Sequence, residues 1–600
     1  MSGNLLAYLD ISADGDLLHG HGAIVFTSTT RGAGLGAGLT NVSLLQPGYP
    51  VGTDSDTLHE PALANIRGRC TVARFIGWAF AGHAIWDQPA NSPPTPCDWS
   101  IRPKIGDPTY VLGGWGVSGL GVPYEMIARV ANALNVDVWL NLPSTTNETA
   151  RDEYVKGVVT VFDSMLPPNR KLYIEYANEC FFGNNQCYPD DTTQANITVL
   201  QQGDPYKLNL GLDMPPNATK NLISHWNPRM YTMNSLRLAQ AAASVVGAAR
   251  VGRSDNPNVR VVPVIGALGS YANDGEAKLS WLNAAWGAPS SLGLATMNIG
   301  AYFAADRSIV SDPNATTDAI IDSLLYLLGN STTSAPMAYG KNAFASFSAV
   351  AAYYGVALHA YEGGPDTSGY KENGIMAAAL ANVDPRMADV VAGIVANWQS
   401  WTGGLFNYFQ LGVQPSFQPW GSYTNLWDLR VPDTPKTRGI DRIVSSPPAP
   451  LTAGWPIPLV QHNASFVVGY YSADGMPPPT PIAFNNMDAV YNYLVRFATP
   501  CAAGINVTVT MASLMNRITH KVGGETFTVA VGSFLPVQSF LSPVTNGTAH
   551  DLMTVTALFD PMPLTALSSG LVTVQLGAPG PPTNVNITNY RFWYVDVNCR

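Results

Sequence analysis

From residue 71 to about residue 442 the chain alternates short apolar runs with longer stretches whose apolar residues recur at helical spacing. That alternation admits few folds. Parallel neighbours need a crossover of a dozen or more residues between them, so strand and helix in regular succession build a parallel sheet covered by helices. The strand candidates are residues 71–78, 137–142, 171–178, 259–265, 296–303, 356–362 and 405–411. The helical stretches are 123–134, 152–165, 233–249, 317–328, 376–381 and 387–398. The predicted fold class is α/β, a (β/α)8 TIM barrel, and these strands are one short of closing it. The missing first strand is either residues 5–11, with a small β excursion after it up to residue 61, or a segment upstream of this chain's start.

Proline-rich stretches at 446–450 and 477–481 punctuate the region after the barrel. Beyond them, residues 489–497, 505–511, 526–531, 552–559, 572–576 and 590–597 read as strands separated by turn residues, with no helix of comparable strength. The expected organisation is an N-terminal β segment (1–61), a catalytic barrel (62–445) and a C-terminal β-sandwich domain (446–600).

Two strand ends carry the chemistry. Residues 171–180 read Lys-Leu-Tyr-Ile-Glu-Tyr-Ala-Asn-Glu-Cys, a strand ending in adjacent Asn178 and Glu179. Residues 356–364 read Val-Ala-Leu-His-Ala-Tyr-Glu-Gly-Gly, which delivers Glu362 before two glycines that let the chain turn away. Strand C-termini open onto the active face of such barrels, so both carboxyls converge on one mouth. Glycosidic hydrolysis with retention needs such a pair: an acid to protonate the leaving oxygen, and a carboxylate about 5–5.5 Å away to attack the anomeric carbon. Read by alternation, Glu175 lies between Ile174 and Tyr176 as a structural ion-pair or hydrogen-bond residue.

The same segments resemble clan A of the glycoside hydrolases, which carries Asn-Glu at the end of strand four and a nucleophilic Glu at the end of strand seven. They also resemble a group of bacterial proteins in that clan. The shared motifs read here Arg74-Phe75…Trp78, Gly121-Val122-Pro123-Tyr124-Glu125…Ala131-Asn132, Trp139-Leu140-Asn141-Leu142-Pro143, Tyr173 to Glu179, and Tyr361-Glu362-Gly363-Gly364. The resemblance spans residues 41–445. It implies a retaining hydrolase of a β-linked polysaccharide or glycan, needing no cofactor and no metal, with Glu179 as general acid/base and Glu362 as nucleophile. It further implies that Asn178 bonds the sugar 2-hydroxyl, that Arg74 and Tyr302 act on Glu362, and that Asn141 belongs to the substrate-binding set. Trp398, Trp401 and Trp420 are candidate platforms for a sugar face. The chain departs from the group at Ser144, where a His is usual, and at Phe181, where an aromatic pair containing Trp is usual. The competing expectation is a non-catalytic secreted glycoprotein whose decayed barrel binds glycans or builds a surface layer.

Composition limits the partners. Only 12% of residues are charged against 46% hydrophobic, and the net charge of −10 offers no basic field for nucleic acid. Such a surface, covered by neutral polar groups, suits a secreted protein. Asn-x-Ser/Thr acceptor sites stand at Asn41, Asn147, Asn196, Asn217, Asn314, Asn330, Asn463, Asn506, Asn546 and Asn586. The cysteines fall as neighbours, Cys70 with Cys97, Cys180 with Cys187 and Cys501 with Cys599, read as disulfides, although other connectivities are open. The first residues show no basic, apolar leader, and no run is long and apolar enough to span a membrane. His83 and His359 lack a second His at ligand spacing and read as structural. Asp366 is either a pocket carboxylate or a turn cap, and the Gly-rich 32–39 stretch lacks the Gly-Lys-Ser/Thr of a phosphate loop. The sequence sets no oligomeric state.

Overall fold

A computed structural model describes residues 57–446 except 79–97, 108–120, 182–186, 210–218, 330–346, 412–432 and shorter gaps, together with strands between 456 and 599. Apart from Thr57, the described residues belong to one compact unit, Leu58–Arg600. The candidate strand at 5–11 and the Gly-rich stretch lie outside the described residues.

Helix α1 (Glu60–Ile66) leads into β1 (Val72–Arg74), after which come α2 (Tyr124–Leu134), β2 (Asp137–Leu142), α3 (Glu148–Met165), β3 (Leu172–Tyr176), α4 (Cys187–Gln201), α5 (Thr219–Val246), β4 (Val261–Ala267) and α6 (Ala272–Trp286). They are followed by β5 (Thr296–Ala304), α7 (Arg307–Val310), α8 (Thr317–Gly329), β6 (Ala357–Asp366), α9 (Asn373–Val383), α10 (Met387–Thr402) and α11 (Pro435–Ser445). Strands β1 to β6 form one sheet in chain order, with every neighbour parallel. This is the architecture of a TIM-like α/β fold. The seventh expected strand, 405–411, is reduced to a parallel bridge of Phe406 with Ala360. The chain there still follows β6, since Ala360 N–H donates to Leu405 O at 2.8 Å and Phe409 N–H to Gly363 O at 2.8 Å.

The period-two alternation of each strand sorts its residues between two cores. Val138, Leu140, Leu142, Ile174, Tyr176, Ile265, Met297 and Ile299 pack with the helices. Val72, Trp139, Tyr173, Val262, Val264 and Tyr361 form a second cluster on the opposite face, where the Trp139 and Tyr173 rings stack with centroids 5.3 Å apart. Arg74 and Glu175, each two residues beyond a member of that inner cluster, share its face one step nearer the strand C-termini.

The helices start and stop where local chemistry directs. Asn147 caps α3 by accepting from Ala150 N–H at 3.1 Å, and α2 ends at Asn135 in the left-handed conformation that closes many helices. Helices α4 and α6 are not signalled by apolar periodicity. Helix α4 opens Cys-Tyr-Pro-Asp-Asp-Thr-Thr, too polar to show an apolar stripe, and tertiary hydrogen bonds hold it instead. No helix among the described residues is long and apolar enough to cross a membrane.

Beyond residue 456 the described backbone is all strand: β7 (Pro456–Pro458), β8 (Val490–Arg496), β9 (Ile505–Ser513), β10 (Thr526–Val531), β11 (Phe534–Leu541), β12 (Leu552–Phe559), β13 (Leu571–Gly577) and β14 (Tyr590–Cys599). They form two antiparallel sheets, ordered β11-β10-β13-β8-β7 and β12-β9-β14. Strand β11 has no counterpart among the strands expected from sequence, because Pro536 and Ser539 break its apolar alternation.

Candidate active site

Strand β3 ends at Tyr176, and the next residues leave it in an unusual conformation: Ala177 and Glu179 both have positive φ, 51° and 50°. A side chain in the left-handed region costs roughly 1–2 kcal/mol per residue, so something must hold this turn. Ala177 N–H donates to Leu142 O at 2.8 Å, and Asn141 Nδ2 donates to Ala177 O at 2.6 Å. Asn141 therefore supports the turn from β2. Cys180, next after Glu179, is disulfide-bonded to Cys187 at the start of α4.

Strand β6 brings the second carboxyl. Its pairing with β5 slips by one residue, Ile299 opposite Ala360 but Gly300 opposite Glu362, leaving Tyr361 as a bulge. Adjacent side chains of a regular strand point to opposite faces. The bulge suspends that rule, so that Tyr361 and Glu362 both reach the mouth. Tyr361 O–H donates to Glu179 Oε1 at 2.7 Å, and Tyr302 O–H donates to Glu362 Oε1 at 2.8 Å. Gly363 and Gly364 do not turn the chain away, as expected from sequence: β6 continues to Asp366. Glycine is required at 363 because a Cβ there would lie 2.5 Å from Ala301 O on β5, and at 364 because φ is 144°.

Arg74 joins these parts. Its Nη1 donates to Glu362 Oε2 at 2.9 Å, and its Nη2 to Asn178 Oδ1 at 2.7 Å and Glu175 Oε2 at 3.2 Å. Trp139 Nε1 gives Glu175 a second bond at 3.0 Å. Both oxygens of Glu362 are thus engaged, which orients the carboxylate, and the Asn178 amide is held by its oxygen, which accepts from Arg74. Burial opposes the charge on Arg74, but Glu175 and Glu362 outweigh it and hold the guanidinium pKa above its ordinary value. Removing such a group strands two buried carboxylates. Arg74→Met is expected to lose roughly 3–5 kcal/mol of unfolding free energy, measured by urea denaturation at pH 7.

The Glu179 carboxyl is pushed up to about 7, first by burial and then by the charge of Glu362, while the bond from Tyr361 and the field of Arg74 pull the other way. A carboxyl that keeps its proton near neutrality is what a general acid requires. Tyr361→Phe removes a bond that favours the charged form. The alkaline limb of the kcat/KM profile should then move up by about half to one pH unit, the worth of one hydrogen bond. A limb that stays put or moves down would refute the assignment of that limb to Glu179.

The structure thus brings together Arg74, Asn178, Glu179, Tyr302 and Glu362, with Asn141 one layer behind. Trp398 is a correction: it is fully buried, its Nε1 donates to Gly404 O at 2.9 Å, and its ring packs on Phe406. It cannot serve as a sugar platform, because α10 turns that face into the core. The side chain of Trp401 and the whole of Trp420 lie outside the described residues. Sequence reasoning misses Tyr361 and Trp139 as parts of the site. Trp139 is available from strand parity with Asn141, whereas Tyr361 needs the bulge. His359 accepts from Leu405 N–H at Nδ1 (3.1 Å) and meets Ser254 Oγ at Nε2 (2.8 Å), a satisfied structural imidazole that burial pushes down to about 4.

Cys70 has no disulfide partner among the described residues and burial pushes its thiol up to about 11; Cys97, its expected partner, lies outside those residues, as does Cys501. Cys599 ends β14. Among the acceptor sites, Asn147 and Asn314 are exposed, Asn196 is half-buried within α4, and Asn506 lies in β9. Asn41, Asn217, Asn330, Asn463, Asn546 and Asn586 lie outside the described residues. A cavity of about 340 Å³ lies apart from the carboxylates, against α3 and α5, lined by Asp152, Lys156, Tyr206, Arg237 and Trp286.

Fold and site together define a TIM-like α/β protein with two carboxyls, one just past the end of β3 and one within β6, set around one arginine. No family model matches the sequence, and no curated protein matches it. Solved structures similar to it include an α-L-arabinofuranosidase from Thermotoga maritima, at 11% identity and TM-score 0.37, covering 89% of this chain and 92% of that one. A family 51 α-L-arabinofuranosidase from Bifidobacterium longum matches at 10% identity and TM-score 0.38, covering 89% and 92%. The family 44 endoglucanase Cel44A from Clostridium thermocellum matches at 11% identity and TM-score 0.28, covering 75% and 83%.

Proposed function

We propose that the protein is a retaining glycoside hydrolase acting on a β-linked polysaccharide or glycan, with Glu179 as acid/base and Glu362 as nucleophile. The observation that carries this reading is the contrast between the two carboxyls: Glu179 is buried and raised to about 7, while both oxygens of Glu362 are held by Arg74 and Tyr302. In the first step a Glu362 oxygen bonds to the anomeric carbon as its bond to the leaving oxygen breaks, and Glu179 passes its proton to that oxygen. In the second, water attacks the same carbon, gives its proton to Glu179, and frees Glu362. Asn178, turned by Arg74, presents its NH2 toward the sugar 2-hydroxyl. The disulfide beside the site supports an oxidising, extracellular setting.

The test is hydrolysis of a panel of β-linked polysaccharides and aryl β-glycosides, with the anomer of the first-formed product read by proton NMR. Retention at the anomeric centre is expected. Inversion would sink the double-displacement mechanism, and no turnover on any member would sink the catalytic reading for β-linked glycans.

A further inference from the structure

The turn that carries Glu179 is tied at both ends to one helix. On its near side Tyr176, the last residue of β3, donates its hydroxyl to Asp191 Oδ1 of α4 at 3.0 Å. On its far side Cys180 is bonded to Cys187, the first residue of α4, and Cys187 Sγ lies 3.6 Å from Asn178 O. Cys187 and Asp191 are four apart on a helix and so stand on one face, one turn from each other. Tyr176 and Cys180 bracket the two left-handed residues, Ala177 and Glu179. All four tying side chains are buried.

Helix α4 is itself anchored from behind. Asn234 Nδ2 of α5 donates to Asp191 Oδ1 at 2.8 Å, and Asn227 Nδ2 of α5 donates to Tyr188 O and Thr192 Oγ1, both at 2.8 Å. Ser144 Oγ, on the loop after β2, donates to Asp190 Oδ2 at 3.2 Å. Position 144, where the chain departs from the group it resembles, therefore serves to dock α4.

We infer that α4 is a backing plate for the acid, and that Cys180, Cys187, Tyr176 and Asp191 are positioning residues that keep the turn strained and the Glu179 carboxyl buried against Tyr361. Two left-handed non-glycine residues in so short a turn relax unless the surroundings over-determine them. With the ties cut, the turn reverts to ordinary φ values and the Glu179 carboxyl moves toward water. It leaves behind the groups that now face it: Glu362 and Tyr361 from β6, Arg74 from β1 and Glu175 from β3. Its proton is then lost at ordinary carboxylate pH. The bridge is too buried to open and close readily, so its part is to hold the acid rather than to switch it.

This inference rests on Glu179 being the acid/base, and its test has an arm that does not depend on activity. Glu179 is titrated by carbon NMR of protein labelled at the glutamate carboxyl, with E179Q assigning the signal, in wild type, in C180S/C187S and in Y176F. The expected result is titration near 7 in wild type, a fall toward the ordinary value of 4.5 in C180S/C187S, and a smaller fall in Y176F. On glycosides with poor leaving groups kcat should drop about 10²-fold in the double variant, the low end of what a general acid supplies, with KM changed less. A double variant that unfolds less stably but still titrates near 7 would overturn the inference and leave the bridge merely structural. Should the double variant not fold, an unmoved titration in Y176F overturns it equally. If wild type hydrolyses nothing while the titration shifts as expected, the functional reading fails and the clamp stands.

Discussion

Under the proposed mechanism Glu362→Gln is expected to lower kcat on a β-glycoside by on the order of 10⁴-fold or more, because the neutral amide keeps one oxygen but loses the carboxylate charge that makes it a nucleophile for the anomeric carbon. Tyr302 and Arg74 deliver hydrogen bonds to both Glu362 oxygens, so the amide presents an NH2 where an acceptor is required and its geometry is disturbed as well. The sharper version is Glu362→Ala, which leaves room for azide. With an activated aryl glycoside, azide should then attack from the vacated side in one displacement and give the glycosyl azide of inverted configuration, read by NMR. Residual activity above about a tenth of wild type in Glu362→Gln would remove the residue from the mechanism.

Glu179→Gln should behave differently, and the difference identifies it. A glycoside whose leaving oxygen needs a proton is expected to lose about 10²–10⁴ in kcat, whereas one with a highly acidic phenol as leaving group should form the glycosyl-enzyme nearly as fast as wild type and stall at hydrolysis. A burst of phenol followed by a slow phase is the measurement, and an equal loss on both substrates would argue against acid catalysis. The same substitution also carries a stability signature. The folded-state pKa of Glu179, about 7, lies above its ordinary 4.5, so its contribution to stability is complete below pH 4.5 and is lost as pH rises through 7. Unfolding of Glu179→Gln should therefore be less sensitive to pH between 4.5 and 7 than that of wild type. The variant should gain relative stability at pH 8, the usual exchange of activity for stability at a strained site.

Much of this is legible in local pattern. Apolar runs and helical spacing announce β1 to β6 and helices α2, α3, α8, α9 and α10 within a few residues, because each shows its own period wherever it sits, but only the second half of α5, which starts fourteen residues before the expected Met233. Glu179 and Glu362 are legible because each closes an apolar run in the sequence, although in the structure Glu179 lies just past the end of β3 and β6 continues beyond Glu362 to Asp366. Helix α4 is silent, since its polar face contacts other helices through hydrogen bonds rather than an apolar stripe. Trp398 is misleading because an aromatic near a strand end looks the same whether its helix turns it inward or outward.

The order of strands and helices, and the segments on which the carboxyls stand, are written in the residue order, for they depend on residues close to one another along the chain. The surroundings of those carboxyls are set by the folded arrangement alone. The bond from Arg74 to Glu362 joins residues 288 apart, and the bulge at Tyr361 exists only because β6 is paired with β5. The raised pKa of Glu179 depends on burial and on the charge of a residue from another strand. Desolvation and charge act through space over a few ångströms, and no local period records which distant residues will share that space.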